Sequence, residues 1–85
     1  MPYRGPETQV DEIVVDVRWL EPPEPLERVL AALDRRTPHQ RVRMLLHREP
    51  HPLYDILRQR GLAHSTRPLP DGCFEILIYV PADET

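Results

Sequence analysis

The sequence predicts an α/β (α+β) two-layer sandwich in which two helices cover one face of a four-stranded mixed sheet, in the order β-α-β-α-β-β. Three observations carry this. Apolar residues alternate with polar ones around residues 12–17, 40–46 and 73–79, the period of a strand with one buried face. Between these stretches lie two with helical apolar spacing: Leu26, Val29, Leu30 and Leu33 in the first, Leu53, Ile56 and Leu57 in the second. An Asp71-Gly72 pair then supplies the positive φ angles of a hairpin turn ahead of the last strand.

In chain order, residues 1–10 are polar and carry Pro2, Gly5 and Pro6, which predicts a flexible arm; residues 11–81 form the single domain and 82–85 a frayed end. Glu12 to Val17 is β-branched, with Ile13, Val15 and Val17 on one face, and reads as the first strand. Pro22, Pro23 and Pro25 forbid a strand or a helix interior and lead into a helix over 24–35. Its acidic start at Glu24 and Glu27 and basic end at Arg35 and Arg36 match the helix dipole. Gln40 to Leu46 is a second strand with Val42, Met44 and Leu46 inward. Pro52 opens a second helix that Gly61 caps. Residues 63–67 make a weak strand, and Cys73 to Tyr79 the last one, with Phe74, Ile76 and Ile78 inward. The first two strands are expected to be parallel.

A chain of 85 residues with 40% hydrophobic composition builds one core, and no apolar run nears the ~20 residues needed to cross a bilayer, so no membrane role is expected. The N-terminal residues lack the apolar stretch of a signal peptide and one cysteine makes no internal disulfide, which together predict a cytoplasmic protein. All eleven basic residues are arginine. A net charge of −3 argues against a general nucleic-acid binder. Residues 35–67 are basic and both flanks acidic, a pattern expected to resolve into ion pairs between segments that fold together.

The text Val15-Asp16-Val17-Arg18-Trp19-Leu20-Glu21-Pro22-Pro23-Glu24-Pro25-Leu26, with this element order, resembles the SirA/TusA-like superfamily of small sulfur-carrier proteins. In those, a strand ending Asp-x-Arg-Gly-Leu leads through x-Cys-Pro-x-Pro into the first helix. Asp16, Arg18, Leu20, Pro23 and Pro25 stand at the matching positions, over a likeness that spans residues 12–80. The acceptor cysteine falls on Pro22, which has no nucleophile, and Trp19 replaces the family's Gly. The chain is closer to an uncharacterised bacterial branch that keeps the Pro-Pro-x-Pro turn and a second loop like Arg48-Glu49-Pro50-His51-Pro52-Leu53. That resemblance implies a setting in redox or nitrogen-oxide metabolism.

Parallel first and second strands bring loops 18–25 and 47–52 to the carboxyl edge of the sheet, beside both helix N-termini. Arg18, Trp19, Glu21, His47, Arg48 and His51 are therefore the candidate ligand-binding residues; the alternative is that Trp19 packs on the second loop and Arg18 pairs with Asp16 or Glu21 to hold the loops. His47 and His51 are candidate metal or haem ligands, although Pro50 forbids a regular helix between them and a metal site ordinarily needs three or four protein ligands. Cys73 is expected on the exposed face with no cation nearby to activate it. Arg41, Arg43, Glu75, Leu77, Tyr79 and either His64 or Thr66 are expected on the open sheet face, a surface for self-association or a protein partner. The functional expectation is a non-enzymatic binding or regulatory module. A metal- or haem-binding redox protein using His47 and His51, and a residual sulfur relay through Cys73, are the alternatives. No cofactor follows from the sequence.

Overall fold

β1 (Glu12–Asp16) and β2 (Arg41–Leu46) lie side by side and parallel in the computed structural model, Ile13 opposite Val42 and Val15 opposite Met44. The structure describes residues 12–81; the arm expected over 1–10 and the frayed end over 82–85 fall outside the described residues. β4 (Phe74–Tyr79) runs antiparallel to β2, and β3 (Ala63–Pro68) antiparallel to β4 at the edge, so the sheet order is β1-β2-β4-β3. Helices α1 (Glu24–Arg35) and α2 (His51–Gln59) complete the expected β-α-β-α-β-β order.

The strand alternation places the core on one side. Val15, Val17, Val42, Met44, Leu46, Ile76 and Ile78 are buried, and so are Val29, Ala32 and Leu33 of α1 and Leu53 and Leu57 of α2 that pack on them. Both helices thus cover the same face. Val17 lies just past β1, yet its N–H still donates to the Leu45 carbonyl at 2.8 Å, so the inward stripe of the first strand runs one residue beyond the strand proper.

α2 begins one residue before Pro52, at His51, and ends in a tight reversal. The Leu62 N–H donates to the Leu57 carbonyl at 2.9 Å and the Gly61 N–H to that of Arg58 at 3.1 Å, with Gly61 at φ 74°. This is a Schellman cap, which needs a left-handed residue one position past the C-cap residue. Gly61 accordingly sits just beyond the cap residue Arg60.

Three expectations are corrected. His64 lies opposite Ile78 and Thr66 opposite Ile76, so both point to the helix side; Ser65 and Arg67 take the open face instead, opposite Leu77 and Glu75. Cys73 is buried, 3% exposed, because it precedes β4 inside the hairpin turn and is not held to the alternation of the strand. In that turn only Gly72 has positive φ. The Gly72 N–H donates to the Leu69 carbonyl, and the Asp71 carboxylate accepts the Cys73 N–H at 3.0 Å. The connection is thus a turn over Leu69–Gly72 whose last residue is the left-handed glycine, a longer hairpin than a two-residue Asp-Gly loop.

The uneven charge resolves as expected. Across the open face a ladder of ion pairs crosses all four strands: Glu12 to Arg43 at 2.6 Å, Arg43 to Glu75 at 2.7 Å, and Glu75 to Arg67 at 2.9 Å. Arg60 reaches Asp34 at 3.1 Å on the helical layer. Each contact joins a basic residue of the middle of the chain to an acidic residue of a flank.

Candidate functional site

The loops after β1 and β2 leave the sheet at the same edge, as two parallel strands require, and a cavity of about 400 Å³ lies between them. Pro22, Pro23, Pro25 and Leu26 form one wall. His47, Arg48, Glu49, Pro50, Pro52 and Leu53 form the other, over a floor of Met44 and Leu46. Its size is that of a small-molecule pocket, and its lining is overwhelmingly apolar.

The five prolines shape the chemistry as much as the geometry. Each removes a backbone donor, and the peptide between Pro22 and Pro23 is cis. The neighbouring donors are taken internally: Glu24 N–H by the Glu21 carbonyl at 2.9 Å, His51 N–H by Glu49 at 3.1 Å, and Leu53 N–H by Pro50 at 2.9 Å. Neither helix has a side-chain N-cap. The usual anion-binding device of a helix N-terminus, a set of free N–H groups, is largely dismantled at this edge.

The candidate residues separate into two groups. Trp19, 78% exposed, stacks on His47 with ring centroids 6.1 Å apart, and His47 and Arg48 both line the cavity. Arg18 is turned elsewhere: its guanidinium grips Asp16 at 2.9 and 2.8 Å and approaches Asp71 of the hairpin at 3.7 Å. That bidentate contact holds the Asp16 carboxyl below its usual range. Glu21 is exposed and has no side-chain partner among the described residues.

His51, at the head of α2, is exposed beside Glu49, its Nε2 3.8 Å from the carboxylate. Among the described residues no group of three or more His, Cys, Asp or Glu is placed to hold a metal ion. His47 is different, because its Nδ1 is buried with no hydrogen-bond partner. Cys73 lies near Arg18, contrary to the expectation of no nearby cation. Burial raises its thiol pKa all the same, Asp71 adds to that, and Arg18 only partly opposes it.

One part of the site lay hidden in the sequence. Tyr54 of α2 is clamped between elements: its hydroxyl donates to Glu49 at 3.0 Å, lies 2.7 Å from the Thr66 hydroxyl of β3, and its ring stacks on His64 at 4.1 Å. Burial raises the Tyr54 hydroxyl pKa. Glu49, on the cavity wall, is thereby tied to the sheet. A Tyr at the inward edge of an amphipathic helix was the available signal, since a half-buried phenol needs a partner.

Residues 14–80 match the family described as Uncharacterized conserved protein (DUF2249). The chain belongs to this family. The matched DUF2249 segment contains both proline-rich loops, both helices and β2 to β4, so the cavity falls entirely within it. No curated protein matches the chain, and no solved structure does. Among the described residues of this DUF2249 protein, no helix is long and apolar enough to cross a membrane.

Proposed function

We propose that this chain is a non-enzymatic binding module that receives the apolar part of a ligand or partner in the cavity between its two proline-rich loops. The observation that carries this is the cavity itself: a preformed, apolar space at the sheet edge, walled by rigid rings and flanked by an exposed Trp. A pre-shaped wall of prolines loses little conformational freedom on binding, and Trp is the residue type most often found as an interface anchor. The scaffold reading, a SirA/TusA-like domain without its acceptor cysteine, draws on the same loop, where Pro22 occupies the cavity wall. A sulfur relay through Cys73 gains no support from a thiol that is 3% exposed. Arg43 and Arg67 are engaged by carboxylates, which favours a reading without nucleic acid. A cytoplasmic location fits a lone cysteine in no disulfide.

Titration with the neutral fluorescent probe N-phenyl-1-naphthylamine tests the reading. Saturable one-to-one binding is expected, lost in Leu26→Trp, which fills the cavity from the first helix and whose folding is checked by circular dichroism. A probe that binds both proteins alike, or neither, would sink the cavity as a binding site.

A second reading, metal or haem ligation through His47 with His51, is favoured by the buried, unpartnered Nδ1 of His47. Native mass spectrometry of protein from a metal- and haem-supplemented host decides it. The bare polypeptide mass is expected; an adduct that disappears in His47→Ala would put this reading first.

A further inference from the structure

Trp19 is the chain's one tryptophan, and it is 78% exposed. Its stack on His47, with centroids 6.1 Å apart, covers at most one face of the indole and leaves a large apolar surface in water. His47 lines the cavity and Trp19 does not, so the ring stands at the rim of the apolar space. A protruding ring and a hollow of about 400 Å³ thus lie side by side on one edge of the sheet. An exposed apolar feature of this kind ordinarily marks a contact surface, and Trp seated in a pocket is the commonest anchor of one.

The charges beside ring and hollow are of opposite sign. On the loop of Trp19, Glu21 is exposed with no side-chain partner among the described residues, while Glu24 is held by Arg28 at 2.8 Å. On the loop of His47, Arg48 is exposed with no carboxylate partner among the described residues. A two-fold axis between the loops lays the first loop of one copy on the second loop of the other. Each ring then meets a hollow and each Glu21 an Arg48, as a self-complementary interface requires. Setting like loops face to face would instead oppose Glu21 to Glu21. A different protein would have to bring its own ring and charge pair, whereas a second copy already carries them in the required places.

We propose that this edge is the interface of a symmetric dimer in which Trp19 of each copy enters the cavity of the other and Glu21 faces Arg48 across the two-fold axis. The inference rests on the cavity reading above and deepens it by naming the partner, a second copy of this chain. The indole enters with its benzene edge first and keeps its N–H at the solvent side, since the apolar lining offers no acceptor. Two short loops bury less than the roughly 1,200–2,000 Å² of a standard interface, so the dimer is weak and reversible.

Sedimentation velocity of the full chain under reducing conditions, from about 5 μM to about 1 mM, covers the range of such weak association. Trp19 emission is recorded over the same range. A reversible monomer–dimer equilibrium is expected, with the emission moving to shorter wavelength as the dimer forms. Trp19→Ala, a surface change whose folding is checked by circular dichroism, is expected to weaken the dimer about 30-fold, the loss of one hot spot. Leu26→Trp, which fills the cavity and keeps Trp19, is expected to weaken it as much. Glu21→Arg and Arg48→Glu are each expected to weaken it about 10-fold, and the double variant to restore it, because the pair is then reversed across the axis. A chain that stays monomeric throughout, a dimer that survives Trp19→Ala or forms without the emission shift, or a double variant as weak as the single ones overturns the inference. N-phenyl-1-naphthylamine binding to such a chain would leave the cavity reading standing, and its failure as well would remove both.

Discussion

Arg43→Met is expected to lower stability by about 2 kcal/mol and to flatten the acid side of the stability profile. Arg43 is the centre of the open-face ladder: Nε and Nη2 hold Glu12 at 3.0 and 2.6 Å, while Nη1 holds Glu75 at 2.7 Å. Exposed pairs contribute roughly 0–1 kcal/mol and breaking a fully buried one costs about 3–5 kcal/mol. With side chains 31%, 27% and 14% exposed, this cluster stands between those limits. Met keeps the apolar stem over the sheet, so the measured loss isolates the charge contacts.

The pH dependence follows from the two carboxylates. The hydrogen bond from Arg43 holds Glu12 below its ordinary value of 4.5. For Glu75 burial acts upward, but the hydrogen bond and charge of Arg43, with the charge of Arg67, outweigh it, and the net shift is also downward. The unfolded chain therefore takes up protons first as pH falls, so the stabilisation is complete above about 4.5 and is lost as pH drops through the lower folded values. Urea unfolding at pH 7 and pH 3.5 gives the comparison. Wild type is expected to lose more stability between the two than Arg43→Met. The variant keeps a residual slope, because Arg67 still faces Glu75 and Arg18 still depresses Asp16. Parallel pH profiles for the two proteins would contradict the assignment.

The parts of the molecule legible in the sequence are those set by local periodicity. The stripe of Leu26, Val29, Leu30 and Leu33 specifies an amphipathic helix whatever lies around it, and β-branched alternation does the same for β1, β2 and β4. β3 was legible as a weak strand, but its facing was not, because Ala63-His64-Ser65-Thr66-Arg67 has no clear apolar parity. Which side His64 and Thr66 take is decided by register against β4, a tertiary fact. Arg18 takes the alternative left open in the sequence by pairing with Asp16, while its approach to the hairpin depends on where Asp71 lies in space. The proline clusters did place the candidate site. What they could not show is that rings lacking N–H groups turn that edge from an anion cradle into an apolar cavity, since this depends on which neighbouring donors find internal carbonyls.

Leu53→Ala is expected to cost about 3 kcal/mol, and Leu57→Ala about 1 kcal/mol more, although both leucines are 0% exposed and belong to the same helix. For 85 residues total stability is on the order of 4–13 kcal/mol, so either change takes a large share of it. The difference between them comes from what lies behind each side chain. Leu57 is enclosed: it sits in the last turn of α2, its carbonyl accepts the Leu62 N–H of the cap, and Leu62 packs against the same core. Truncation there opens a void whose walls are held by the helix end and the sheet, with little freedom to collapse. Leu53 already has a cavity on one side, so its truncation enlarges an existing space that solvent or neighbouring side chains can enter, and the cavity part of the penalty shrinks. Paired urea unfolding measurements separate the two costs. If Leu53→Ala proves as damaging as Leu57→Ala, the wall between the proline loops is as rigidly closed as the core. The space would then be too sealed to admit a ligand without movement of the loops that carry Trp19 and Arg48.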